Sequence, residues 1–231
     1  LSTGISLKQV KGTPMTYRPF SNYQDEVALG RVSGVSSWTK FGYNGDVDAA
    51  SPEILAAFGG TYTPPTSAST ISIVSSSTND VNTTGTGAFG VVLYGIDANR
   101  DSQIEVVFLN GTTAVTTTST WLGINRMSVY SAGTLKENDG AITITAVTGG
   151  ATLATMPAGE GTSQQCIFHT PSGTTTLIEK ILLKGSKVSG SGASITFKVW
   201  IYSAVSNAVY EVLRYTMDTS VENHITIDPA T

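Results

Sequence analysis

Acidic side chains at short spacing are the first groups in this chain that chemistry could use. In "GIDANRDSQIE" Asp97, Asn99, Asp101 and Glu105 stand at alternate or near-alternate positions, the array by which calcium loops present their oxygens. An EF-type loop counted from Asp97 needs Gly at its sixth position and a bidentate Glu at its twelfth, and Ser102 and Phe108 stand there instead. Flanked by two apolar runs, the segment predicts a hairpin turn whose Asp and Asn side chains bond their own backbone. Asp46 with Asp48, and Glu137 with Asp139, pair carboxylates as glycoside hydrolysis would, a reaction that can also draw its two acids from distant strands. At this spacing they read as solvated turns.

Sulfur and imidazole offer no better set. Cys166 and His169 have C-x-x-H spacing, but residues three apart on a strand point to opposite faces, so a small buried thiol and a strand histidine are expected. His224 is the only other histidine, which is too few for a His-rich zinc site, and neither a G-x-S-x-G elbow nor an H-E-x-x-H helix is present. "GTGAFG", residues 85–90, spells G-x-G-x-x-G, yet that pattern holds a pyrophosphate only where a helix follows it, and "VVLYG" predicts a strand. The residues therefore predict no catalytic set, no metal site and no cofactor. Trp200 and Tyr202 remain, alternating on one strand opposite the stripe from Ile195 to Ile201. They predict either packing under a loop or a contact patch for protein or sugar.

The elements that would position these residues are mainly strands. Ile71 and Ile73 in "STISIVS", Ile142 and Ile144 in "AITITAV", and Ile195, Phe197, Val199 and Ile201 in "SITFKVWIY" alternate with polar residues. Further strands are expected at residues 88–96, 104–109, 112–118, 124–130, 165–170, 175–183, 209–217 and 224–227. Asn110-Gly111 predicts a tight type I′ hairpin, because that turn needs two positive φ angles. One short helix is expected in "SPEILAAFGG", residues 51–60, with Ser51 at the N-cap, Pro52 at N1 and Gly59 or Gly60 past its end. Residues 1–38 lack strand periodicity and predict an extended N-terminal arm, whose Tyr17, Phe20 and Tyr23 require a surface to dock on. The expectation is thus an all-β fold, a jelly-roll-like β-sandwich over residues 39–231, preceded by the arm at residues 1–38.

Composition agrees with such a fold and excludes several classes. The chain has 231 residues, within the span of a single all-β domain, and is 40% hydrophobic, enough to bury a core. Its 13 Lys plus Arg against 17 Asp plus Glu give a net charge of −4, which is no footprint for nucleic acid. A single Cys excludes an internal disulfide. No run approaches the ~18 apolar residues of a membrane helix, and the first residues lack a signal-peptide layout, so a soluble protein without membrane partners is expected.

Three phrases in one order, "VSSWTKFGYNGDVD", "TISIVSSSTNDVNTTGTGA" and "GIDANRDSQIEVVFLNGTTAVTTTSTWLGINRMSVYSAG", resemble a group of virion structural proteins of tailed bacteriophages, marine and cyanobacterial ones above all. The resemblance covers residues 35–161 and is looser beyond. It implies a non-enzymatic virion component: capsid decoration, head fibre, or head–tail or tail accessory. The implied partners are other virion proteins and further copies of the chain. Together with the aromatic residues of the arm and sheet, it makes Tyr17, Phe20, Tyr23, Trp38, Phe41, Trp200 and Tyr202 the expected partner contacts. A receptor- or glycan-binding fibre domain, and then a glycan hydrolase, are the alternatives.

Overall fold

The computed structural model describes residues 22–47, 51–186, 194–218 and 224–227. The chain divides into two compact units, Leu1–Lys40 and Phe41–Thr231. Among the described residues it is mostly antiparallel strand, with one short helix.

That helix, α1 (Tyr23–Ala28), lies in the first unit. Asn22 caps it by accepting the Gln24 N–H at 3.2 Å, and Asp25 and Glu26 sit at its positive end. Gly30 takes φ +68°, and the bonds from Gly30 N to Val27 O and from Arg31 N to Glu26 O complete a Schellman stop. The helix expected at residues 51–60 does not form. Its backbone bonds to a distant segment instead: Ala57 N donates to Gln164 O, Leu55 O accepts from Cys166 N, and Ala56 bridges Gln165. A two-turn helix carries a large nucleation cost for few bonds, so these long-range partners win.

The strands of the described residues lie in the second unit: β1 (Ile71–Ser75), β2 (Ala88–Ile96), β3 (Ser102–Phe108), β4 (Val115–Thr116), β5 (Gly123–Ala132), β6 (Ile142–Ala146), β7 (Thr152–Met156), β8 (Ile181–Lys184), β9 (Ser194–Ser203), β10 (Ala208–Asp218) and β11 (His224–Ile227). One sheet has the order β4-β1-β6-β7 and a second the order β3-β2-β5, all antiparallel. Alternate residues of both sheets meet in one hydrophobic cluster. Ile71, Ile73, Ile142, Ile144 and Met156 come from the first sheet, Val91, Leu93, Ile124 and Met127 from the second, and Trp121 joins from the connection between β4 and β5. The period-two pattern of these strands thus matches the face each buries.

Two expected features are placed differently. Asn110-Gly111 closes no hairpin, because β3 pairs with β2 while β4 pairs with β1, so the chain there passes from one sheet to the other. Gly111 has φ +60° and Asn110 does not share it, which excludes type I′. Residues 165–170 form no strand beyond the single Gln165 bridge. Likewise, residues 112–118 shrink to the two-residue β4, and 175–183 to the start of β8.

After β7 the architecture thins. Among the described residues β8 pairs with β11 and β9 with β10, each as a two-stranded ribbon. Of their residues, Leu183 and Met217 are the buried apolar ones among those described.

Candidate functional site

The loop at Asp97–Asp101 is the turn that was expected. β2 and β3 form a hairpin, and the Asp97 carboxylate accepts the Asn99 and Asp101 N–H groups at 2.8 and 2.9 Å while Arg100 takes φ +67°. Glu105 faces elsewhere, accepting the Thr118 N–H and hydroxyl at 2.8 Å each and the Ser119 N–H at 3.2 Å. Burial would raise its pKa, but those hydrogen bonds outweigh it and hold the carboxyl below its ordinary value. The residues after Gly87 run straight into β2, so no helix N-terminus follows the glycine pattern.

Of the remaining paired acids, Asp139 is held at a turn. Asp139 accepts from Ser77 Oγ at 2.5 Å and Asn79 Nδ2 at 3.2 Å, and Glu137 is exposed. Asp48 lies outside the described residues. Asp80, which no motif singled out, is fully buried and accepts four hydrogen bonds: Ser75 Oγ at 2.6 Å, Ala88 N at 2.7 Å, Asp139 N at 2.8 Å and Gly140 N at 2.9 Å. It ties the end of β1 to the start of β2 and to the turn before β6. In "STNDVN" it looks like any turn acid, so the sequence offered no signal for it.

Cys166 is exposed, against the expectation of a buried thiol, because the segment is not a strand and its backbone is claimed by Leu55. His169 is held on both ring nitrogens. Its Nδ1 lies 3.1 Å from Asn125 Oδ1, which also accepts the His169 N–H at 2.6 Å, and its Nε2 lies 3.0 Å from the Tyr62 hydroxyl. Since Oδ1 can only accept, Nδ1 carries the proton and the Tyr62 O–H donates to Nε2. Burial raises the Tyr62 pKa well above its ordinary value, so the phenol stays protonated. Gly123 lies against the imidazole, where any Cβ would strike the ring. This is a pin that fastens residues 165–170 to β5, with no activated nucleophile. Among the described residues no group of three or more His, Cys, Asp or Glu is placed to hold a metal.

No protein-family model, curated protein or solved structure matches the chain. The geometry therefore has to carry the functional reading.

What the structure does place on the surface is apolar. Of the expected contacts, Tyr23, Trp38, Phe41, Trp200 and Tyr202 are exposed, while Tyr17 and Phe20 lie outside the described residues. Trp200 and Tyr202 sit on one face of β9. Trp200 Nε1 donates to Glu211 Oε2 at 3.4 Å, Lys198 Nζ lies 5.8 Å from the Trp200 ring centre, and the Tyr202 hydroxyl donates to Asn207 Oδ1 at 3.0 Å. The opposite stripe, expected to be half-buried, is open at its outer end, where Ile201 is 50% exposed. Across the ribbon Val209, Tyr210 and Val212 are exposed too. These side chains were legible as strand residues; that they stay exposed at this end of the ribbon was not. Elsewhere, Tyr43, Asn44, Asp46, Glu53 and Phe58 line an open cleft of about 490 Å³, with Asn44 Nδ2 donating to Glu53 Oε2 at 2.8 Å.

Proposed function

We propose that the chain is a non-enzymatic structural component of a tailed-bacteriophage virion, built on a jelly-roll-like two-sheet sandwich and assembling through its exposed apolar surfaces and its N-terminal segment. Supporting it is the ordered resemblance of residues 35–161 to virion structural proteins. The observation that carries it on the physical side is the distribution of apolar surface. A core that buries Trp121 and eight or more aliphatic side chains lies in the same unit as a ribbon that leaves Trp200, Ile201, Tyr202, Val209, Tyr210 and Val212 open. Isolated apolar residues on a surface are ordinary, but six exposed at one end of a single ribbon, on both its faces, suit a contact site. Capsid decoration, head fibre and tail accessory are all roles in which such a surface would be covered by virion partners. The test is to identify this chain in purified particles by mass spectrometry and locate it in a particle map; particles that lack it would reject the assignment.

A second reading, a glycan- or receptor-binding fibre domain, is favoured by the cleft at Tyr43, Asp46, Glu53 and Phe58, since aromatic rings beside carboxylate and amide oxygens suit a sugar's apolar face and hydroxyls. Binding on a glycan array that is lost in Tyr43→Ala would establish it. Turnover of a polysaccharide, abolished in Asp46→Asn or Glu53→Gln, would move the reading to a hydrolase.

A further inference from the structure

We infer that the tip of the β9–β10 ribbon is a membrane-contact element, which enters the headgroup layer of a lipid bilayer from Val205 down to the level of Trp200 and Glu211. This gives the exposed end of the ribbon a lipid partner, and it does not rest on the virion reading.

The ribbon is held at one end and bare at the other. Met217, opposite Ile195, is fully buried, and Ile195, Phe197 and Val199 are half-buried. Toward the turn that burial runs out: Trp200, Ile201, Tyr202, Val209 and Tyr210 are exposed, and Val205 in the turn is 100% exposed. By register Trp200, Tyr202 and Val209 share one face of the ribbon, and Ile201 and Tyr210 share the other. A protein surface laid against the ribbon would cover one of these faces, and a strand added at its edge would cover neither. Lipid surrounds what enters it, so it covers both faces and the turn together.

Charge is graded in the same direction. No residue from Val199 to Tyr210 is charged. The first charges are Lys198 on β9 and Glu211 and Arg214 on β10, with Arg214 opposite Lys198. Between them and the turn stand Trp200, Tyr202 and Tyr210, whose rings have an apolar body and a polar edge and favour the boundary of lipid and water. Turn, rings and charges therefore follow one another along the ribbon as they would from lipid to headgroups to water. From Ser203 to Trp200 the strand advances roughly 10 Å, which matches the ~5–10 Å to which interfacial elements sink.

The polar groups of the tip are already paired with one another. The Tyr202 hydroxyl donates to Asn207 Oδ1 at 3.0 Å, the Ser206 and Tyr210 hydroxyls lie 3.0 Å apart, and the Ser206 N–H donates to Ser203 Oγ at 3.4 Å. Paired groups cost less to take out of water than free ones. The outer edges of β9 and β10 have no partner strand among the described residues, which holds the tip to headgroup depth, where water still reaches their backbone. No helix among the described residues is long and apolar enough to cross a membrane, and contact at this depth needs none. Lys198 and Arg214 are both engaged by Glu211, so the contact calls for no anionic lipid.

The test is flotation of the whole chain with phosphatidylcholine vesicles at about 1 mM lipid. Wild type should float with the vesicles, and Val205→Asp, which removes apolar area and sets a charge at the leading position, should lower the bound-to-free ratio at least about tenfold. Val205 is wholly exposed, so the variant should keep its fold, which an unchanged melting curve checks. Leu177→Asp, at an exposed leucine outside the ribbon, should float as wild type does. Independently, in a Trp38→Phe background Trp121 is buried and Trp200 is the exposed indole. Its emission should move to shorter wavelength on vesicles and be shielded from iodide. A wild type that stays unbound, equal flotation of Val205→Asp, flotation only with phosphatidylglycerol present, or an unshifted Trp200 would each overturn the lipid contact. A chain found in particles but unbound to vesicles would overturn it and leave the virion reading standing; a chain that floats but is absent from particles would reject the virion reading and leave the lipid contact intact.

Discussion

Strands β1–β7 and strands β8–β11 are written in the same alphabet and end in opposite situations. "TISIVS" and "AITITAV" alternate apolar and polar residues, and so does "SITFKVWIY", with more and larger apolar side chains. The first two bury Ile71, Ile73, Ile142 and Ile144 completely because a second sheet faces them. The third has one partner strand among the described residues: Met217 opposite Ile195 is buried and Ile195, Phe197 and Val199 are half-buried, while Trp200, Ile201 and Tyr202 at the other end stay open. Alternation reports a pleated strand with two unlike faces. Whether the apolar face finds a cover is decided by topology, which is a property of the whole chain or of several chains.

The contrast predicts where substitutions hurt. Asp80→Ala should have the largest effect, because it leaves the Ser75 hydroxyl and the N–H groups of Ala88, Asp139 and Gly140 without their acceptor. At roughly 1–3 kcal/mol for each buried donor left unmet, a loss of about 4 kcal/mol or more is expected in urea unfolding. A loss under about 1 kcal/mol would show that water replaces the carboxylate and that the junction is not what closes the packed region.

Next come two isoleucines in matched settings. Ile144→Ala opens a cavity in the core and should cost about 2–5 kcal/mol. Ile201→Ala should fall within about 1 kcal/mol of wild type. Equal losses would mean that the ribbon is covered within its own chain, and the division drawn here would fall.

This division marks how far the sequence was legible. Most long strands could be read from period two, and the Asp97 turn from Asx chemistry, because both depend on neighbours in the chain. The helix was misplaced for the complementary reason. Ser51, Pro52 and Gly59 are good caps, but Ala56 and Ala57 find backbone partners at Gln164 and Gln165, more than a hundred residues away in sequence. Meanwhile Asn22, Asp25, Glu26 and Gly30 spelled the real helix, and the lack of strand period around them hid it. For the candidate surface, Trp200 and Tyr202 could be picked out as a contact pair. Ile201, Val209, Tyr210 and Val212 could not, since the sequence does not say which end of the ribbon stays exposed.

A smaller effect is expected at the crossing between the sheets. Gly111 holds φ +60°, and a Cβ there would lie 3.2 Å from Thr78 Cα. Gly111→Val should cost roughly 1–3 kcal/mol from the left-handed backbone and that contact. Gly150, at φ +66° with nothing within 4 Å, supplies the control in which the backbone term acts alone. If Gly150→Val costs as much, the crossing is not tightly packed.

The smallest effect distinguishes two carboxylates, one in each region. Glu211 on the ribbon is brought down to about 2, first by the hydrogen bond from Arg214 against a small opposing burial effect, then by Trp200 and the charges of Arg214 and Lys198. Its folded value is depressed, so its contribution is complete above the ordinary value of 4.5 and is lost as pH falls through the interval down to about 2. Glu105 in the packed region is also depressed, but by Thr118 and Ser119 donors that carry no charge. Salt at about 1 M shortens the screening length to about 3 Å and should act on the charged partners of Glu211 more than on the neutral donors of Glu105. Carboxyl titrations followed by NMR in low and high salt should therefore show the Glu211 midpoint rising toward 4.5 in salt, with the Trp200 indole N–H shifting alongside it, and the Glu105 midpoint staying in place. Equal movement of both would mean that Glu105 answers to charges beyond its own turn, and that the packed region is no better insulated from the solvent than the ribbon.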